Sequence, residues 1–217
     1  VTKATTSLPC FVTLTPAGAG GTPTVGTLGP PGTSSELAAT LLAGRLGAAD
    51  PGTVDGGPTR VRLFDTYERA GSALRARLVT HVVVANAYKA VHEFYMDPGF
   101  QLAVVFVLDT PMYGIAKRRG AGAPPPSPTI ASHPSPVPII GQLLNGSGAH
   151  VVMHADSTSS AALAAAEGRV DLALTTAPAA QLYDLEFITR TRCIRMVWSV
   201  FVLSDAAPAT TESDGVA

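Results

Sequence analysis

Thr27-Leu28-Gly29-Pro30-Pro31-Gly32-Thr33-Ser34-Ser35-Glu36 is the stretch from which the fold is read. Before it, Val25 to Leu28 is a short apolar strand that runs into the Gly/Pro turn. After the turn, Thr33-x-x-Glu36 is a capping box ahead of Leu37, Leu41, Leu42 and Leu46, a spacing that predicts a helix to about Ala49. The turn therefore ends on a helix N-terminus, where the first backbone N–H groups lack intrahelical acceptors and carry a partial positive charge. Thr33, Ser34 and Ser35 add hydroxyl donors without a fixed charge, which makes a seat for a carboxylate or phosphate.

Strand, cap and helix recur along the chain. Arg60 to Phe64 alternates as a half-buried strand, and Asp65-x-x-Glu68 starts a second helix to about Leu78. Further strands are expected at His81 to Ala85, Leu102 to Leu108, Met112 to Lys117, Thr129 to Ser132, Ala149 to His154, Asp171 to Leu174, Phe187 to Arg192 and Met196 to Leu203. His133-Pro134-Ser135-Pro136 opens a third helix, Asp156 to Ser159 caps an Ala-rich one stopped at Gly168, and Thr175 to Pro178 caps another. Residues 50–58 and 120–128 are Gly/Pro-rich loops. Strands alternating with helices over short links predict an α/β fold with mainly parallel sheets, whose ligands gather beyond the strand ends where the helix N-termini point. Hydroxyl-rich starts at Thr33, Ser132, Ser157 and Thr175, with few cations nearby, suit a small organic anion carrying more than one charge.

Composition excludes several classes. Fifteen Lys and Arg balance sixteen Asp and Glu, so no global basic field points to nucleic acid or an anionic membrane. Cys10 and Cys193 make neither a CxxC pair nor a disulfide framework. The longest apolar run, Leu102 to Leu108, is strand-sized, and the first residues hold no signal-peptide pattern, so a cytoplasmic protein is expected. Residues 1–23 are expected to form a flexible leader, 24–204 the folded domain and 205–217 a flexible tail.

Four motifs then carry a resemblance. Gly29-Pro-x-Gly32-Thr33-x-Ser35-Glu36-x-Ala38-Ala39, Ser132-His133-Pro134, Ser157-Thr158-x-x-Ala161-Ala162 and Ala179-Ala180-x-Leu182-Tyr183-x-Leu185 stand in the order and spacing of the prephenate dehydratase catalytic domain. That resemblance implies two periplasmic-binding-protein-like lobes, about 24–85 plus 176–204 and about 86–175, with the active site in the cleft between them. It also implies prephenate, a dicarboxylate, as ligand. The dehydratase Glu-Asn-Ser is missing from Val84 to Lys89, and the Thr-Arg-Phe that helps expel the ring hydroxyl is missing from Met196 to Ser199. The dehydratases' phenylalanine-sensing regulatory domain has no counterpart in this sequence either.

Phe94-Tyr95-Met96-x-Pro98, Asp109-Thr110-Pro111-Met112-Tyr113-Gly114, Ser132 to Pro136 and Met196-x-Trp198-Ser199-x-Phe201 instead resemble the prephenate decarboxylases of the bacilysin type, which serve antibiotic biosynthesis. The resemblance implies loss of CO2 with retention of the 4-hydroxyl, without metal, pyridoxal phosphate or thiamine, in a homodimer. On this basis Thr33, Ser34, Ser157, Thr158 and Thr175 are expected to act in catalysis. Ser35, Tyr88, Met112, Tyr113, Ser132, His133, Ser159, Thr176, Trp198 and Arg118 are expected to bind substrate. His133 could instead cap its helix or pack, Tyr88, Tyr113 and Trp198 could equally pack in the core, and Arg118 could belong only to the solvated edge Lys117-Arg118-Arg119. Two other functions stay open at this level: an unregulated prephenate dehydratase, and a non-catalytic two-lobed binding protein.

Overall fold

Two sheets, each built around β-branched and aliphatic strands, are joined by two crossing segments in the computed structural model, which describes residues 10–14, 22–48, 60–146 and 148–204. The first sheet contains β1 (Cys10–Thr13), β2 (Thr24–Leu28), β3 (Arg60–Phe64), β4 (His81–Ala85), β5 (Phe100–Asp109) and β11 (Arg195–Leu203), in the order β1-β5-β11-β4-β2-β3. The second contains β6 (Tyr113–Arg118), β7 (Thr129–Ser132), β8 (Val151–His154), β9 (Leu172–Thr176) and β10 (Leu185–Phe187), in the order β10-β6-β9-β7-β8. Among the described residues six helices accompany them: α1 (Ser34–Ala48), α2 (Tyr67–Arg75), α3 (Val91–Met96), α4 (Ile140–Leu143), α5 (Thr158–Ala166) and α6 (Ala177–Leu182).

The α/β class and the two-lobed arrangement match the expectation. The parallel pairing expected for the sheets occupies one half of each, β3-β2-β4 and β8-β7-β9, where strands follow one another through helices. The other halves are antiparallel, because the long β5 and β11 lie side by side and β6 returns beside β9 and β10.

The lobe boundaries fall elsewhere than expected. Strand β5 belongs to the first sheet, so the chain first crosses at Thr110 to Met112 and returns at Ile188 to Ile194. The two crossings are bonded to each other: Thr110 N–H donates to the Ile194 carbonyl at 2.9 Å, and Ile194 N–H to Thr110 Oγ1 at 3.0 Å. The leader is also corrected in part, since Cys10–Thr13 pairs antiparallel with β5 and Phe11 stacks on Phe106 at 4.9 Å. An alternation too short to read as a strand alone is held there by its neighbour. Most of the expected leader, the 50–58 loop and the 205–217 tail lie outside the described residues.

Each lobe has its own core. Trp198, Phe106, Phe201, Leu42, Leu74, Val25 and Val82 are fully buried in the first. In the second, Ala161, Ala162, Ala164 and Ala165 of α5 pack on Ala116, Ala131 and Ala173, so that small side chains let the helix lie close to the sheet. Ile115, Ile130, Ile140, Leu172 and Leu174 fill the opposite face. Among the described residues no helix is long and apolar enough to cross a membrane.

Candidate active site

The N-termini of α1 and α5, from different lobes, line one cavity. Thr33, Ser34 and Ser35 reach it from the first lobe and Ser157 and Thr158 from the second, with Tyr67, Ala85, Tyr88, Tyr113, His133, Ser135, Met196 and Trp198 completing the wall. This inner cavity holds about 80 Å3 of free space, and beyond it lies a wider hollow of about 480 Å3. Leu28, Tyr67, Tyr88, His133 and Ser135 line both, so they stand at the junction. Among the described residues no Asp, Glu, Lys or Arg side chain lines the inner cavity. The outer hollow adds Asp65, Glu68, Asp156, His154 and the cationic Lys89.

The capping box forms with a variation. Thr33 Oγ1 accepts from the Glu36 amide at 3.2 Å, while Glu36 Oε2 reaches back to the Gly32 amide at 2.6 Å, one residue before the cap. That leaves the amides of Ser34 and Ser35, which have no intrahelical acceptor, at the mouth of α1. In α5 the cap is Ser157, whose hydroxyl accepts from the Ser160 amide at 2.9 Å. In α2 the cap is Thr66 rather than Asp65: its side chain accepts from the Arg69 amide, and Tyr67 becomes the first helical residue.

Two phenol-serine pairs face the cavity. Ser34 Oγ lies 3.0 Å from Tyr113 Oη, a bond that also crosses between the lobes, and Ser35 Oγ lies 2.7 Å from Tyr67 Oη. The Ala85 amide donates to Tyr67 Oη at 3.3 Å. Burial pushes the Tyr67 phenol up to about 12, and burial likewise raises that of Tyr113. At the junction Tyr88 donates to the Glu68 carboxylate; burial and this bond both raise the phenol. Glu68 itself sits below the usual carboxylate range, because its burial is outweighed by hydrogen bonds, that from Tyr88 the largest. Burial lowers His133, so its ring favours the neutral form, and its Nδ1 accepts from the Ser135 amide at 3.2 Å.

Several expected site residues stand elsewhere. Ser159 and Thr176 are fully buried clasps: Ser159 Oγ donates to the Pro31 carbonyl and Thr176 Oγ1 to the Gly32 carbonyl, each at 2.7 Å. They tie the second lobe to the Gly/Pro turn. Thr175 donates to the Thr158 carbonyl at 2.7 Å, and Ser132 to the carbonyl of His133 at 2.8 Å, both inside the fold. The helix expected after Ser132 begins only with a 3-10 turn at Val137–Ile139, which removes the helix mouth from Ser132. Met112 is 41% exposed in the first crossing, outside the cavity. Arg118 ends β6 beside Gly168, about 17 Å along the strand from Tyr113, against the 121–125 loop rather than the cleft. Tyr67, Ser135 and Met196 line the cavity without having been expected there, although Ser135 and Met196 stand inside the motifs quoted from the sequence. The signal for Tyr67 was present, because it opens α2 as Ser34 opens α1 at the preceding strand-helix junction.

No family model matches the chain. It is 37% identical over 180 residues to a prephenate decarboxylase of Planktothrix agardhii, covering 82% of this chain and 86% of that one. It is 35% identical over 181 residues to a prephenate decarboxylase of Bacillus subtilis, covering 82% and 85%. Among solved structures, prephenate dehydratase from Arthrobacter aurescens in complex with L-Phe superposes with a TM-score of 0.60 at 15% identity, covering 87% of this chain and 62% of that one. The last similarity describes the fold, while identity above one third over most of both sequences describes descent. The chain belongs to the prephenate decarboxylase family.

Proposed function

We propose that the protein decarboxylates prephenate without aromatising it, releasing CO2 and keeping the 4-hydroxyl on the ring. The observation that carries this reading is an uncharged, donor-rich inner cavity between two helix N-termini, with no carboxylic acid among the described residues of its wall. Donors there would be wasted on the carboxylate that leaves, since binding a charge that disappears in the transition state stabilises only the ground state. They fit the pyruvyl carboxylate, which persists throughout. The ring then occupies the junction and the outer hollow, with the leaving carboxylate against the apolar Leu28 side chain, where dispersal of its charge is favoured.

Keeping the hydroxyl requires that nothing protonate it. Glu68 in the outer hollow is held ionised by Tyr88, and His133 at the junction favours its neutral form, so neither is a ready acid. At the position where the dehydratases carry Thr-Arg-Phe, the chain places Met196 and Trp198 on the cavity wall. Cofactor independence, homodimeric assembly and a role in antibiotic-type biosynthesis accompany the proposal by resemblance, and a cytoplasmic setting accompanies it from the sequence pattern alone. The test is incubation with prephenate, following CO2 release, ultraviolet absorbance and the mass of the product. CO2 release with a non-aromatic, hydroxyl-bearing product is expected; phenylpyruvate as the main product would overturn the reading in favour of a dehydratase.

A further inference from the structure

Loss of CO2 from the ring leaves an electron pair that must be met by a proton on carbon, and the residues around Tyr67 contain a donor placed for it. Tyr67 Oη and Ser35 Oγ are 2.7 Å apart, and Tyr67 Oη already accepts the Ala85 N–H. The two hydroxyls own two protons, and the bond between them uses one. Among the described residues neither oxygen has a further partner, so one O–H remains to point into the space that both side chains line, whichever of the two donates to the other.

Ser34 and Tyr113 leave one proton by the same count, but Tyr113 lines only the inner cavity, whereas Tyr67 stands at the junction where the ring would lie. Tyr67 also has the better support for losing its proton. Its oxygen accepts a backbone N–H and can accept the Ser35 hydroxyl, so a phenolate there would be held by two donors against one for Tyr113.

We propose that Tyr67 delivers the proton to the ring carbon and that Ser35 resupplies it, a role that rests on the decarboxylase reading of the same site. The bond from the ring to the carboxylate breaks and CO2 departs. Its electron pair spreads over the attachment carbon and the two ring carbons conjugated with it. One of those conjugated carbons forms a C–H bond with the Tyr67 hydroxyl proton, and the O–H pair stays on oxygen as phenolate. The phenolate takes a proton from Ser35, which regains one from water. The sum is prephenate dianion plus one proton giving CO2 and a monoanionic product. Burial keeps the phenol protonated through neutral pH, so the donor is loaded whenever substrate arrives.

The experiment uses the full chain with prephenate in deuterium oxide. Wild type is expected to release CO2 and place one deuterium on one ring carbon and one face. Tyr67→Phe is expected to lose about 100-fold or more in turnover, with the residual product deuterated on both faces or diverted to phenylpyruvate. Tyr113→Phe is expected to raise KM and keep the single-face label. If Tyr67→Phe does not fold by circular dichroism, Ser35→Ala carries the test: kcat falls and the solvent isotope effect rises, with KM nearly unchanged. A folded Tyr67→Phe with wild-type rate and single-face label overturns the proposal, as does a Ser35→Ala enzyme with wild-type kcat and isotope effect. Absence of CO2 release by wild type would instead overturn the decarboxylase reading itself.

Discussion

Trp198 carries, among the described residues, the one buried side-chain N–H that no protein atom accepts. The indole is fully buried, stacks near Phe106 with ring centroids 6.5 Å apart, and lines the inner cavity. An unpaired buried donor costs roughly 1–3 kcal/mol, and a substrate carboxylate would supply the missing acceptor. Trp198→Phe removes the donor and keeps most of the apolar ring. Its melting temperature is expected to stay within a few degrees of wild type, while KM for prephenate rises about tenfold, the size of one charge-assisted bond. Steady-state kinetics beside a thermal melt separates the two effects.

His81 makes a different prediction at the same scale. It is 5% exposed in β4, and burial lowers its pKa below the ordinary 6.5, so the folded chain holds it neutral where the unfolded chain binds a proton. Its stabilising contribution is therefore intact above pH 6.5 and declines as pH falls below that value towards the folded pKa. Urea midpoints at about pH 7.5 and 5.5 should differ in that direction, and less so in His81→Gln; the remaining slope includes His133, which shifts the same way.

Among elements, the helix starts combine capping with a place on the cavity wall. Ser157 caps α5 and also lines the cavity, so Ser157→Ala should cost about 1 kcal/mol of stability and lower turnover. On a chain of this size that corresponds to a melting shift of roughly 2–4 °C, measurable beside the loss of rate. The elements easiest to read in the sequence were those with strong local signals: the Gly/Pro turn into α1, the alternation of β3, and the Ser157 cap. Harder to read were features set by long-range pairing. Cys10–Thr13 is a strand only because β5 lies beside it, and β5 belongs to the first lobe only because β11 returns to it. Hydroxyls were equally ambiguous, since a serine or threonine at a helix start can face the cavity, as Ser35 does, or clasp backbone, as Ser159 and Thr176 do. Residue type and spacing are alike in the two cases, and only the approach of the other lobe separates them.

At the scale of the whole molecule, the active-site geometry depends on how tightly the second lobe holds the Gly/Pro turn of the first. Gly32 has a φ of +86°, and a Cβ placed on it would meet Ala179 of α6 at 3.1–3.2 Å. Only glycine satisfies both demands, a left-handed backbone and contact with the start of a helix from the other lobe. The bond from Thr176 to the Gly32 carbonyl and that from Ser159 to the Pro31 carbonyl fix the turn from the same side. Gly32→Ala should thus cost at least about 1–3 kcal/mol from the backbone alone. It should also shift the α1 mouth away from Ser157 and Thr158, so that kcat/KM falls more than the stability loss would explain. Gly44, inside α1 with nothing within 4 Å of where an added methyl would stand, supplies the contrast. Gly44→Ala should stabilise the chain by about 1 kcal/mol and leave kinetics unchanged. Urea unfolding and prephenate kinetics on both variants check the pair, and equal, small effects would mean that the clasp does not set the cleft.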